Sequence, residues 1–360
     1  MPLLRWLQLA LVVIPGPTGF GGINHNVKPN FHTMRKSRIF IQIICLFALV
    51  SCAKSKATDQ IIPDKKENGF YVVGYIFGSG DLDAESAKLD FSKITHLNIA
   101  FLNPDANGLF SPSAGLTAAI KRAHDNKVKV LFSFGGGNAP QHLKELIKPN
   151  KRAELIKELV KLTNTYNFDG VDVDLEGDFI DLNYEGLIVE LSSALKPHKK
   201  LLTAAVATWN GNAISDKALA LFDLVNIMSY DQTGPWNKEK PGPHSTYEAA
   251  ETDFAYWNTS RSVSANKLTL GLPFYGYGFG PSIQESYSYG DIVTGFPGSE
   301  LVDFVVVPNQ GTIYYNGLPT IKKKVGFALN KKAGGIMIWQ LLGDATGDKS
   351  LLSAINTLIQ

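Results

Sequence analysis

Short apolar runs recur along the chain beyond residue 70, separated by stretches of helical spacing. The runs are Tyr71–Phe77, Thr95–Leu102, Val128–Phe134, Gly170–Glu176, Leu201–Thr208, Leu224–Tyr230, Leu268–Phe274 and Gly335–Leu341. Most are near-continuous rather than alternating, as strands covered on both faces are. Between the third and fourth, Ala153–Tyr166 sets Leu155, Ile156, Leu159, Leu162 and Tyr166 at helical spacing. Strands alternating with helices predict a parallel α/β sheet, and eight of them suffice to close a (β/α)8 TIM barrel. An open doubly wound sheet is the competitor, but no GxGxxG or GxxxxGK loop follows any run. Leu351–Ile359 predicts a closing helix. About sixty residues separate Tyr275 from Gly334. They must supply a helix over Leu318–Asn330, with Lys322, Lys323 and Lys324 on its solvent side. What remains is short for a full α+β insertion domain, so a single domain with an open, shallow groove is expected.

The fourth run breaks the apolar pattern. Phe168-Asp-Gly-Val-Asp-Val-Asp-Leu-Glu-Gly-Asp178 carries acids among β-formers. Alternation along a strand puts Asp172, Asp174 and Glu176 on one face and Val171, Val173 and Leu175 on the other. Three stacked acids repel one another unless some are protonated or hydrogen-bonded. A solvated edge strand would bring lysines among its acids, and a hard-metal site would add His, Asn or loop oxygens. Neither is here, so the pattern points to catalysis.

Chemistry in such barrels sits at the C-terminal ends of the strands. The first run ends Gly74-Tyr75-Ile76-Phe77, the second passes Ala100-Phe101 and the third gives Ser133-Phe134-Gly135-Gly136. The sixth ends Met228-Ser229-Tyr230-Asp231, with Met228 and Tyr230 on one face by parity. The eighth is Gly335-Ile-Met-Ile-Trp339. Aromatics crowd these ends: Tyr75, Phe77, Trp209, Trp236, Tyr275, Tyr277 and Phe279. Sugars offer flat C–H faces to such rings, so the concentration favours a carbohydrate cleft. Trp257, inside a predicted helix, reads as core.

Asp169-Gly-Val-Asp172-Val-Asp174-Leu-Glu176 resembles the DxxDxDxE signature of glycoside hydrolase family 18, the chitinases and related endo-N-acetylglucosaminidases. Ser133–Gly136 resembles that family's SxGG motif and Met228–Asp231 its MxYD motif, and the likeness runs from about Tyr71 to Leu342. It implies a (β/α)8 barrel and hydrolysis of a β-1,4 bond after N-acetylglucosamine, without cofactor or metal. It further implies that Glu176 is the general acid and then the base. The substrate's own acetamido oxygen acts as nucleophile, a substrate-assisted route. By the same likeness Asp174 orients the acetamido N–H, Asp172 shares a proton with Asp174, and Tyr230 holds the acetamido oxygen. Trp339 would floor the reacting sugar, and Met228, Asp231, Tyr75, Phe101, Gly136, Trp209 and Tyr275 would contact the glycan. Family members often carry cis bonds where Ala100–Phe101 and Trp339–Gln340 stand here. Asp169 has the opposite parity and is assigned to structure. Leu175, Gly177 and Tyr277 depart from the commonest pattern. They leave chitin and other N-acetylglucosamine glycans both open as substrate, and a non-catalytic glycan-binding protein is the reading of another class.

Composition adds the setting. The 360 residues are 44% hydrophobic and 19% charged, ordinary for a globular chain. Residues 1–52 hold five basic residues and no acid. Taking those five from 35 leaves 30 basic against 33 acidic, so the body is mildly acidic and makes no case for nucleic acid. The body lacks cysteine, and its histidines show no zinc spacing. Residues 1–33 read as an upstream extension. From Met34 a basic segment, the short apolar Ile39–Ser51 and then Cys52 read as a secretory signal. Leu49-Val-Ser-Cys52 resembles a bacterial lipobox, with Cys52 the lipidated residue and 53–68 a tether. The expectation is a monomeric lipoprotein at the cell envelope, with a barrel domain over 69–360.

Overall fold

The computed structural model describes residues 69–78 and 80–360. The leader, lipidation at Cys52 and the tether lie outside the described residues.

Eight of the described strands close into a parallel barrel. They are β1 (Tyr71–Phe77), β2 (His96–Ala100), β3 (Lys129–Gly135), β4 (Gly170–Asp174), β5 (Leu201–Val206), β6 (Leu224–Ile227), β7 (Leu268–Pro273) and β12 (Gly335–Trp339). β1 pairs with both β2 and β12, which shuts the ring. Each predicted run holds one of these strands. The observed strands stop a residue or more earlier at several C-terminal ends, where the chain turns away to build the rim. The predicted helices appear as Arg152–Thr165, Leu318–Asn330 and Leu351–Ile359.

Alternation sorts the side chains into two layers. Val72 and Ile76 of β1 and Val171, Val173 and Leu175 of the β4 region join the large core between barrel and helices, as does Trp257. Tyr71, Val73, Tyr75, Ala100, Leu224 and Met337 pack inside the barrel. Parity therefore sends Asp172 and Asp174 inward, where both are buried. Asp169, on the other parity, accepts from the Val130 N–H at 2.8 Å and lies 2.8 Å from His124 Nε2. It ties β4 to its neighbour, as expected of a structural residue.

The segment after β7 supplies more than the helix expected over Leu318–Asn330, yet forms no separate domain, as expected. It folds as β8 (Tyr275–Phe279), β9 (Ser286–Ser288), the helix Tyr289–Gly295, β10 (Phe304–Val307) and β11 (Gly311–Tyr314). These strands form an antiparallel sheet in the order β10-β11-β8-β9. The sheet belongs to the same compact unit as the barrel. Its strands are only three to five residues long, too short to stand out by periodicity. One expectation needs correction, the solvent side for Lys324. Ile321, Lys324, Val325 and Ala328 fall at i, i+3, i+4 and i+7, so the lysine lies on the buried face of its helix. Its Nζ donates to the Ser245 carbonyl at 2.8 Å, to Ser245 Oγ at 2.7 Å and to Asn316 Oδ1 at 2.7 Å. Burial lowers its pKa to about 7, against the pull of Asp303, Asp253 and Glu248. Lys322 and Lys323 are exposed, as predicted.

Candidate active site

The inward face of β4 carries a ladder of acids whose surroundings differ by height. Asp172, deepest, is held by four donors. Tyr75 Oη and Ser133 Oγ each donate to Oδ2 at 2.7 Å, and Asn226 Nδ2 donates to Oδ1 at 3.2 Å, joined there by Thr203 Oγ1. Asn226 is fixed in turn by Thr269 Oγ1, which donates to its Oδ1 at 2.7 Å. Burial raises the Asp172 pKa, but every one of these hydrogen bonds works the other way and favours the anion.

Asp174, one step up, is also buried, and its Oδ1 makes no hydrogen bond. Its pKa is driven well above the carboxylate range, first by burial and then by the charges of Glu176 and Asp172. The sequence reading has Asp172 sharing a proton with Asp174. Burial raises both pKa values, Asp174's well above the carboxylate range, and the donors that favour an anion surround Asp172, so a proton shared by the pair rests more on Asp174. Glu176 lies just past the strand end. Burial, with the nearby charge of Asp231, raises its pKa to about 7. It thus holds a proton near neutrality yet can release it, as a general acid must.

The rim follows from local backbone chemistry. Gly135 and Gly136 both take positive φ, and the Gly136 N–H donates to the Asp174 carbonyl at 2.7 Å. A β-carbon on Gly135 would meet that carbonyl oxygen, and one on Gly136 would meet the Phe101 ring. The glycines therefore let the β3 turn cross β4 at the acids. Asn103 secures that turn, accepting from the Gly135 N–H at 2.7 Å and donating to its carbonyl at 3.0 Å. Trp339 stacks with Phe101 at 5.6 Å and 26° and meets Tyr75 at 5.6 Å and Phe77 at 5.9 Å. Ala100–Phe101 and Trp339–Gln340 are both cis, as the family likeness implies.

Across the mouth, Met228 and Tyr230 pack against the inner cluster as parity predicts. Tyr230 Oη donates to Met337 Sδ at 3.7 Å. Burial, then the charges of Asp174, Asp231 and Glu176, keeps this phenol protonated and able to donate. Asp231 has φ 62°, in the left-handed region, and accepts from Tyr275 Oη at 2.5 Å. Trp209 is 73% exposed, and its ring edge comes within 3.6 Å of where a Gly177 β-carbon would stand, next to Glu176.

Sequence reasoning missed some members of this arrangement. Thr203 and Asn226 hold Asp172 beside Ser133 of the SxGG-like motif, and their signal was available as small polar residues at inward positions of apolar strands. His244 left no such trace. It is fully buried between the Tyr275 and Tyr277 rings at 4.8 and 4.9 Å, with Nδ1 3.4 Å from Asp231 Oδ1. Only the fold brings that loop residue under Asp231.

Comparison with known proteins gives the same picture. Residues 71–344 match the family model described as Glycosyl hydrolases family 18. The chain is 38% identical to a chitinase from the chitin utilization locus of Flavobacterium johnsoniae, with a TM-score of 0.73 over 82% of this chain and 94% of that one. It is 30% identical to a chitinase from Bacteroides thetaiotaomicron, with a TM-score of 0.70 over 81% and 96% of the two chains. A chitinase-like effector of Moniliophthora roreri is 28% identical over 247 residues, which span 60% of this chain and 61% of that protein. On a family match that covers most of its length, the chain belongs to the glycosyl hydrolases of family 18.

Proposed function

We propose that the chain is a chitinase-type hydrolase that cleaves β-1,4 bonds after N-acetylglucosamine with retention of configuration. The observation that carries this reading is the pairing of Glu176, poised near neutral pH, with a buried Asp174 that has an unpartnered oxygen. In the first step Glu176 gives its proton to the glycosidic oxygen as the C–O bond breaks. The acetamido oxygen of the same sugar closes on the anomeric carbon, forming an oxazolinium ion. Asp174 accepts from the acetamido N–H through its unpartnered oxygen and, as it passes its proton to Asp172, balances the growing positive charge, while Tyr230 Oη donates to the attacking oxygen. In the second step Glu176, now ionised, takes a proton from water as that water opens the ring. Asp172, held in its cage of donors, takes up that shared proton and fixes the strand beneath.

A fully deacetylated chitosan has no acetamido oxygen and should resist the enzyme. Ready cleavage of that polymer would remove the substrate-assisted route. Activity on the chitobiose core of N-glycans is the alternative within enzymes, left open by the departures at Leu175, Gly177 and Tyr277. Assaying N-acetylglucosamine oligomers beside an N-glycoprotein separates the two. A non-catalytic glycan binder would show affinity for both without products. Intact acids at Asp172, Asp174 and Glu176 argue against it. We place the enzyme at a bacterial envelope through Cys52, as a monomer. A wild type found wholly in the soluble fraction of cells would contradict that placement.

A further inference from the structure

Lys324 stands where the fold alone calls for a leucine or a methionine. It is fully buried on the helix Leu318–Asn330, on the same stripe as Ile321, Val325 and Ala328. An apolar side chain of like length would fill that place without taking an ammonium out of water. Nor does the charge serve an ion pair. Asp303, Asp253 and Glu248 attract it, yet among the described residues its Nζ hydrogen-bonds only neutral acceptors. Those acceptors are committed. Ser245 Oγ donates its own proton to the Ser229 carbonyl at 2.6 Å, and Asn316 Nδ2 donates to the Ser245 carbonyl at 2.8 Å. The Ser245 carbonyl, Ser245 Oγ and Asn316 Oδ1 can therefore only accept from Nζ. Three such bonds use every proton of an ammonium, and a neutral amine is one short.

The residues gathered by Lys324 frame the catalytic mouth. Ser229 lies between Met228 and Tyr230, and its Oγ donates to Asp253 Oδ2 at 2.7 Å. Ser245 follows His244, whose ring lies between Tyr275 and Tyr277 with Nδ1 3.4 Å from Asp231 Oδ1. The His244 carbonyl accepts from the Gln232 N–H at 3.1 Å. Tyr230 and Asp231 are thus bracketed by Ser229 and Gln232, and both brackets are tied to the pair His244–Ser245. Asp231 holds φ 62°, a backbone state that a residue other than glycine keeps where its surroundings fix it. Lys324 is the post behind that pair, and through Asn316 it joins the end of β11 to the same point.

Resting on the function proposed above, we infer that Lys324 is a positioning residue for that reaction, fixing His244–Ser245 and through them the Tyr230 phenol and the Asp231 carboxylate. It touches no reacting atom. Without its ammonium the pair shifts, Tyr230 meets the acetamido oxygen out of line, and Asp231 draws away from Glu176.

The test compares wild type with Lys324→Met and Ser245→Ala on an N-acetylglucosamine tetramer, each assayed well below its melting temperature and across a range of pH. Lys324→Met keeps the length of the side chain and removes the ammonium. Ser245→Ala keeps the ammonium and cuts the link to Ser229. Both should lower kcat about ten- to a hundredfold, the order that a misplacement of about 1 Å costs, with KM within about twofold of wild type. In both, the alkaline limb of kcat/KM should move to lower pH, because Asp231 no longer raises the Glu176 pKa as far. Loss of a distant cation alone would move the limb of Lys324→Met the other way and leave that of Ser245→Ala in place. If Lys324→Met does not fold, Ser245→Ala carries the comparison. A lower melting temperature with kcat and limb unchanged would make Lys324 a structural residue and overturn the inference. So would a limb that stays or moves up, or a loss confined to KM. A wild type that leaves the tetramer intact sinks the proposed activity, whereas variants with wild-type kcat sink this inference alone.

Discussion

Asp172 and Asp174 sit two residues apart on one strand face, both buried, yet their surroundings are opposite. Asp172 is enclosed by Tyr75, Ser133, Thr203 and Asn226. Asp174 has an oxygen without a partner. A fully satisfied buried network rigidifies a core, while an unsatisfied buried polar group is costly and calls for an explanation. In the proposed mechanism the floor of the site thus serves stability and the rim reaction. The unpaired oxygen is the place a substrate N–H would fill.

The comparison breaks most visibly at Glu176. Glu176→Gln keeps size and polarity but removes the transferable proton. Turnover should fall by at least about 10²–10⁴-fold while oligosaccharide binding persists. The same substitution should change stability in a defined direction. The folded pKa of Glu176, about 7, exceeds its ordinary 4.5, so its favourable contribution is complete at low pH and lost as pH rises through about 7. The Gln variant should therefore melt above wild type at pH 8, and that advantage should disappear near pH 4.

Asp174→Asn comes next. It should lower turnover by about 10²-fold, the order seen when one preorganised electrostatic contact is removed. Thermal stability should hold or rise, because an unsatisfied acid is replaced by an amide. Asp172→Ala should do the reverse. It strands four donors inside the barrel and should cost about 2–4 kcal/mol in denaturant unfolding. If the two aspartates gave the same pattern of loss, the division between floor and rim would be wrong.

The smallest effect is expected at Asp231. Its negative charge helps raise the Glu176 pKa. In the proposed mechanism the acid form of Glu176 starts the reaction, so kcat/KM should fall as pH rises through about 7. Asp231→Asn removes that charge, lowers the Glu176 pKa and should move the alkaline limb to lower pH. A limb that stays in place, or moves up, would separate Asp231 from the tuning of the acid.

The sequence was most legible where period and parity decide the outcome. Eight runs became eight barrel strands because a strand buried on both faces needs continuous apolar residues. The inward direction of Asp172 and Asp174 followed from alternation alone. The signature carried by Asp169 to Glu176 pointed to the family because all four acids stand at its fixed steps. Legibility ended where contacts join distant segments. Lys324 looked like one of three solvent lysines, since nothing local announces that Ser245 and Asn316 wait beneath it. His244 lies in an irregular loop and reaches Asp231 only through the fold. The small sheet after β7 was hidden by strands of three to five residues, too short to stand out by periodicity.

The division of roles between Asp172 and Asp174 can be measured without any substrate. Infrared difference spectra of the free enzyme at pH 7 report the carbonyl stretch of a buried protonated carboxyl. The account predicts such a band in wild type, its loss in Asp174→Asn and its survival in Asp172→Asn. A band that survives in Asp174→Asn and vanishes in Asp172→Asn would put the proton on the wrong aspartate and contradict the account.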